Sequence, residues 1–148
     1  MCGIAGLIRW DGAPIGGSLG RMVAALRHRG PDDAGTVGFD LESAKVVDSA
    51  ARSGAGIGLA RLSIIDLSRA GHQPMANEDG SIWIAFNGEV YNFGEVRPWL
   101  ERRGHVFRSR TDTEVLLHAY EEEGIGCLAR FRGMFGLAIV DLPKRRLF

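Results

Sequence analysis

Cys2 stands directly behind the initiator methionine in the opening stretch MCGIAGLIRW. Its side chain is small enough for an aminopeptidase to strip Met1, which leaves a thiol and a free α-amine on one residue. A thiolate is a strong nucleophile toward amides, but it needs a base to take its proton. An α-amine has an unperturbed pKa of about 7.7–8.0, so it can accept that proton near working pH and return it. One residue then supplies nucleophile and base. The plainer alternative is a core cysteine opening a buried strand.

Three other stretches carry chemistry of a matching kind. In FNGEVYN, the pair Asn87-Gly88 reads either as a two-residue hairpin turn or as an oxyanion hole. The hole would consist of the Asn87 amide and the Gly88 backbone N–H aimed at a developing negative oxygen. In ARLSII, Arg61 interrupts an apolar strand and is flanked by Leu59, Leu62 and Ile64. A guanidinium there either snorkels to the surface or grips a ligand carboxylate in a bidentate pair. In SRTDTE, Asp112 falls at a helix N-terminus, where simple dipole complementation is the plain reading.

These residues must be positioned by many short elements. The pattern predicts strands at CGIAGLI, GTVGF, AKVVDS, IGLARLSII, SIWIAFNG, HVFRS and GMFGLAIVDL, with RLF opening another. Helices are expected at SLGRMVAALRHRG, where Leu19, Met22, Val23 and Leu26 fall at helical spacing, and at FGEVRPWLERRG. A third, TDTEVLLHAYEEEG, opens on a T-x-x-E capping box and stops at Gly124, and IGCLARFRG adds a turn or two. Pro98 is tolerable only near the first turn of its helix. Strands dominate and helices come in pairs, so an α+β fold with antiparallel sheets is expected.

The bulk numbers exclude several classes. With 148 residues the chain is one domain by length. Its 18 Lys+Arg balance 18 Asp+Glu, so no basic field calls for nucleic acid and no polybasic block for a membrane surface. No apolar run is long enough to span a bilayer, and the apolar start lacks a basic leader segment. Cys2 and Cys127 make no disulfide framework, so a reducing cytoplasm is the expected setting, with Cys127 a buried hydrophobe. His28, His105 and His118 are scattered with no metal-ligand spacing to a cysteine, and no metal is expected. The 21 glycines mostly end apolar runs, which suggests tight turns.

Six stretches in order, MCGIAG, RHRGPDDAG, RLSIIDLSRAGHQPM, FNGEVYN, SRTDTEVLLHAY and FRGMFGLAIVD, resemble the glutaminase domain of the class II glutamine amidotransferases. The RGPD string is similar to the asparagine synthetase branch. The resemblance implies the N-terminal-nucleophile (Ntn) hydrolase fold, an αββα sandwich of two antiparallel sheets between helical layers. It implies Cys2 as nucleophile and base, Asn87 and Gly88 as the oxyanion hole, and Arg61 on the α-carboxylate of glutamine. It gives Asp112, with Glu89 beside it, the α-ammonium. Leu62, Ser63, Ile64 and Ile65 would line the same pocket, and Arg29 would support it. Leu59 stands where relatives often have histidine, and His72 in GHQPM reads as structural.

The same resemblance implies that L-glutamine is the substrate and that a C-terminal synthetase domain uses the ammonia. ATP and magnesium would serve that domain only. These 148 residues hold no G-x-x-x-x-G-K-[ST] loop and no S-G-G-x-D loop; Gly16-Gly17-Ser18-Leu19 lacks the leading serine and the closing aspartate. RLF resembles the start of a strand that continues, so a longer chain is expected. A homodimer and the identity of the ammonia acceptor stay open. Two other readings remain: an N-terminal-cysteine amidase of another substrate class, and a non-catalytic ligand-sensing module. The pairing of Arg61 with Asp112 argues against the first, because its substrates lack an amino-acid head group.

Overall fold

The computed structural model describes residues 1–11, 13–48 and 54–148. Two four-stranded antiparallel sheets lie face to face. The first has the order β1-β4-β2-β3, from β1 (Gly3–Ile8), β2 (Asp33–Asp40), β3 (Lys45–Val47) and β4 (Ala55–Arg61). The second has the order β5-β6-β7-β8, from β5 (Met75–Ala76), β6 (Ile82–Val90), β7 (Gly133–Asp141) and β8 (Arg146–Leu147). Helix α1 (Gly16–Ala25) covers the first sheet, and α2 (Phe93–Glu101) and α3 (Asp112–Glu123) cover the second. The expected αββα sandwich is therefore the observed one.

Strand alternation sorts the residues into these layers. Along β6, Ile82, Ile84 and Phe86 point to α2 and α3, whereas Trp83 and Ala85 point between the sheets. Along β7, Leu137 and Ile139 join the helical side and Ala138 and Val140 the inter-sheet side. In the first sheet Ala5, Leu7 and Ala60 meet Leu19 and Val23 of α1 and Ile15 just before it, while Ile4, Ile57 and Leu59 face the second sheet. Three core layers between four structural layers thus follow from a period of two on the strands and an apolar stripe on each helix.

Helix α1 approaches β4 closely because Gly56 and Gly58 turn bare backbone toward it. A Cβ at Gly56 would lie 2.5 Å from Ile15 Cδ1 and 2.9 Å from both Leu19 Cδ2 and the Val37 carbonyl oxygen. Gly56→Ala is therefore expected to destabilise the fold by about 1–3 kcal/mol through overpacking. Urea denaturation checks this; an unchanged midpoint would show that α1 is free to shift.

Several local expectations change. The helix read to Gly30 ends at Ala25, and Met22 is exposed rather than on the core face. The strand read through Ile65 ends at Arg61, because Leu62 N–H turns to Cys2 Sγ and Ser63 N–H to Asp32. HVFRS is not a strand: the Arg108 and Ser109 N–H groups donate to the Glu114 carboxylate, and the Ser109 carbonyl accepts from Arg97. The capping box of α3 is half formed for the same reason. Thr111 Oγ1 accepts from Glu114 N–H, but Glu114 reaches past Thr111 to those two amides. Pro98 sits sixth in α2 rather than in its first turn, and the carbonyl it leaves without a donor belongs to exposed Gly94. Of the AKVVDS strand, Lys45–Val47 is observed and Ser49 lies outside the described residues. No helix of the described residues is long and apolar enough to cross a membrane.

Candidate active site

The two sheets place four of the candidate residues at one mouth of the sandwich. Gly3 pairs with Ala60, so Cys2 arrives next to Arg61 at the end of the β1-β4 ladder. Cys2 shares the parity of Ile4, and Arg61 that of Ile57 and Leu59, which face the second sheet. Asn87 and Glu89 share the parity of Trp83 and Ala85, which face back. Asp112 comes from the first turn of α3. Cys2, Arg61, Asn87, Gly88, Glu89 and Asp112 all line one cavity of about 170 Å³. A larger concavity, about 730 Å³, is walled mainly by apolar side chains such as Phe39, Val140 and Phe148 and does not include Cys2.

Asn87-Gly88 is not a hairpin. It lies inside β6, with Asn87 opposite Gly136 and Gly88 opposite Phe135. Cys2 Sγ is seated against the backbone where β4 ends: Leu62 N–H donates to it at 3.4 Å, and it lies 3.7 Å from the Leu62 carbonyl. Arg29 is outside the cavity lining and donates its Nε–H to the Cys2 carbonyl at 2.9 Å, fixing the main chain that carries the thiol. Gly30 beside it has no room for a Cβ, which would fall 2.3 Å from the Ala60 carbonyl oxygen. The RGPD string thus holds the start of β1 to the end of β4.

Arg61 is buried, and its guanidinium donates to the carbonyls of Asp66 and Ser68 in the following loop. That loop is pinned by the Asp66 carboxylate, which accepts from Arg110 N–H at 3.0 Å and Ser68 N–H at 2.9 Å. These bonds, the one from Arg110 first, hold Asp66 down at about 2. The guanidinium is thereby delivered to the cavity wall as a fixed cation.

Asn87 Oδ1 is buried and has no hydrogen-bond partner among the described residues. A buried acceptor left unmet costs about 1–3 kcal/mol, so a donor entering the cavity is favoured there. Gly88 is required by the β7 backbone, because a Cβ on it would lie 2.2 Å from the Met134 carbonyl oxygen and 2.4 Å from Phe135 Cα. Gly88→Ala is expected to force β6 and β7 apart and to destabilise the fold. A thermal midpoint equal to that of the parent would show that this contact is dispensable.

Asp112 is buried, and both carboxylate oxygens accept backbone bonds, Oδ2 from Val90 N–H and Oδ1 from Thr113 N–H, each at 2.9 Å. Burial raises its pKa above the usual carboxylate value, the two amides oppose that rise, and the charge of Glu89 adds to it. Glu89 is exposed at the rim. Two carboxylates and one fixed guanidinium lining the same cavity suit a molecule with a positive and a negative end.

Leu62, Ile64 and Ile65 line the cavity, with Ile64 and Ile65 exposed at its lip. Ser63 does not; it stands in an adjoining cleft with Asp32, Asp33 and His72. His72 there bonds Asp33 at 2.7 Å. Cys127 is fully buried, and that burial pushes its thiol up to about 11. Gln73 escaped the sequence reading. It is buried on the cavity wall, accepts from Phe86 N–H at 2.7 Å and donates to Thr113 Oγ1 at 3.2 Å. It ties the strand before Asn87 to the helix turn that holds Asp112. Nothing in a lone glutamine of a loop signals such a bridge.

Comparison with known proteins agrees with this geometry. Residues 1–148 match the family described as the glutamine amidotransferase domain. The chain is 40% identical over 153 residues to an asparagine synthetase [glutamine-hydrolyzing] 2 of Bacillus subtilis, covering all of this chain and 18% of that protein. It is 35% identical over 162 residues to a putative asparagine synthetase [glutamine-hydrolyzing] 2 of Methanocaldococcus jannaschii, covering all of this chain and 29% of that protein. The chain thus spans less than a third of either relative. Among solved structures, the glutamine phosphoribosylpyrophosphate amidotransferase of Bacillus subtilis superposes with a TM-score of 0.71 at 25% identity, over 95% of this chain and 35% of that one. The chain belongs to the class II glutamine amidotransferase family, and its sequence is similar to the glutaminase portion of the asparagine synthetases.

Proposed function

We propose that this chain hydrolyses L-glutamine to glutamate and ammonia through a thioester on Cys2. The observation that carries the proposal is convergence. A thiol, an amide, a fixed cation and a buried anion from four separate stretches of sequence line one small cavity. Arg61 takes the α-carboxylate; Asp112, with Glu89, takes the α-ammonium. The side-chain amide then extends toward Cys2 and Asn87.

The chemistry follows from that pose. With Met1 removed, the Cys2 α-amine takes the thiol proton as Sγ attacks the amide carbon. The Asn87 amide and the Gly88 N–H stabilise the oxyanion, a contribution worth about 2.7–4 kcal/mol for one such donor. The C–N bond breaks, the amine returns its proton to the leaving nitrogen, and ammonia departs. Water then attacks the thioester, the same amine takes its proton, and glutamate leaves with the thiol restored. One glutamine and one water give one glutamate and one ammonia.

In the full protein the ammonia would pass to a synthetase domain in a cytoplasmic enzyme, where ATP and magnesium activate a carboxylate acceptor such as aspartate. Within these 148 residues no cofactor is needed for the hydrolysis. The test is ammonia release by the Met-processed protein, with glutamine set against penicillins and bile-salt conjugates. Turnover of glutamine alone supports the reading. Turnover of the others but not glutamine favours a different amidase, and turnover of none favours a sensing module.

A further inference from the structure

His105 and His118 are thirteen residues apart in sequence, yet the fold brings their rings to 4.6 Å between centroids. His118 lies in the second turn of α3; His105 lies in the connection between α2 and α3. Glu78, in the turn between β5 and β6, reaches them from the second sheet, with its Oε1 3.7 Å from His118 Nε2. One ligand-type atom from each of the three residues falls within 4.8 Å of the others.

The state of His118 marks this cluster as more than an ion-pair network. The side chain is 3% exposed, and Nε2 has no hydrogen-bond partner among the described residues. Glu114 Oε1 is 3.8 Å away, too far to bond, and is already engaged by Arg108 N–H. Nδ1, in contrast, is held by Glu121 Oε2 at 2.7 Å, and Glu121 Oε1 in turn accepts from Asn77 Nδ2 at 2.8 Å. Asn77 also closes the turn that carries Glu78, through Ile82 N–H and Ser81 Oγ. A carboxylate on Nδ1 fixes the ring and leaves Nε2 facing the Glu78 carboxylate at 3.7 Å. Metal-ligating histidines have this outer support. The ring of His105 is held likewise, by Glu122 Oε1 at 3.1 Å from its Nε2.

We infer that Glu78, His105 and His118 form a binding site for a divalent transition metal of the zinc class, separate from the cavity at Cys2. Two imidazole nitrogens and one carboxylate oxygen make a ligand set that suits zinc, with exposed Glu78 leaving a fourth position open to water. Zinc–ligand bonds of about 2.1 Å in a tetrahedron place ligand atoms about 3.4 Å apart, a small closure from the observed spacing. The cluster lies about 9 Å along α3 from Asp112, six residues at 1.5 Å each. Bound metal would fasten α3, the α2–α3 connection and the β5–β6 turn to one another.

The N-terminal thiol and amine would chelate zinc on their own account, so the test uses the chain carrying Cys2→Ala. Zinc alone is the probe, read as metal retained after gel filtration and as the rise in thermal midpoint. One zinc per chain is expected. Glu78→Gln and His105→Asn, both outside the helical core, should abolish retention. Glu121→Gln keeps all three ligands and should weaken binding about 10- to 100-fold. Circular dichroism establishes that each variant is folded. Absence of retained zinc on the folded Cys2→Ala chain, or retention undiminished by Glu78→Gln and His105→Asn, would overturn the assignment.

Discussion

Cys2→Ala is expected to reduce ammonia release from glutamine to background while the chain stays folded. Loss of a catalytic nucleophile costs a factor on the order of 10⁶ where it has been measured in a comparable acyl-transfer site. The fold has little to lose, because Cys2 is only partly buried at the edge of the inter-sheet core and its Sγ makes only long hydrogen bonds to the Leu62 backbone. The same loss should follow when Met1 is retained, for a different reason: the nitrogen of Cys2 is then an amide and cannot accept the thiol proton. The two forms are distinguishable. A glutamine-like diazoketone should label neither the alanine variant nor buried Cys127, whose thiol is held largely protonated at about 11. Processed protein should be labelled at Cys2 alone. Equal turnover by the Met-retaining and processed forms would remove the α-amine from the mechanism.

The fold was legible wherever alternation and helical spacing agreed with a solvent boundary. Strands β1, β4, β6 and β7 and all three helices were read near their observed places, because each has an apolar face against a defined layer. The errors fall where side chains replaced backbone partners. HVFRS has strand composition, yet Glu114 and Arg97 satisfy its main chain, and no local signal shows a carboxylate five residues ahead. The strand at Arg61 was read too long because LSII is apolar, but it is a loop turned out against Cys2 and Asp32. The site itself was legible through order of motifs rather than through any one residue. Asn87-Gly88 has a strong turn signal, and only the β7 strand, far along the chain, converts it to a strand residue pair on the cavity wall. Gln73 and the His105–His118 contact were invisible for the same reason: their partners are long-range.

Asp112→Asn is expected to raise KM for glutamine far more than it lowers kcat. In the proposed pose the carboxylate meets the substrate ammonium, and removing one charge of a buried pair costs about 2–5 kcal/mol, or roughly 30- to 4,000-fold. The reacting amide lies at the other end of the substrate, so a bound molecule still reacts. Asparagine can accept only one of the two N–H bonds that Val90 and Thr113 now donate, so some stability is also lost. Arg61→Ala loses more of the fold, because its guanidinium also holds the loop at Asp66 and Ser68, which makes it the poorer probe of recognition. The pH dependence separates charge from structure. Burial, then the charge of Glu89, raises the pKa of Asp112 above its unfolded value, against the opposing bonds from Val90 and Thr113. This group therefore favours the folded chain below its unfolded pKa, and that contribution is lost as pH rises through the folded value. An ammonium placed against the carboxylate reverses that penalty, so glutamine binds more tightly as pH rises and Asp112 ionises. KM in the parent should then rise as pH falls through that ionisation, and Asp112→Asn should lack this acid limb. An identical acid limb in the variant would show that another group holds the ammonium.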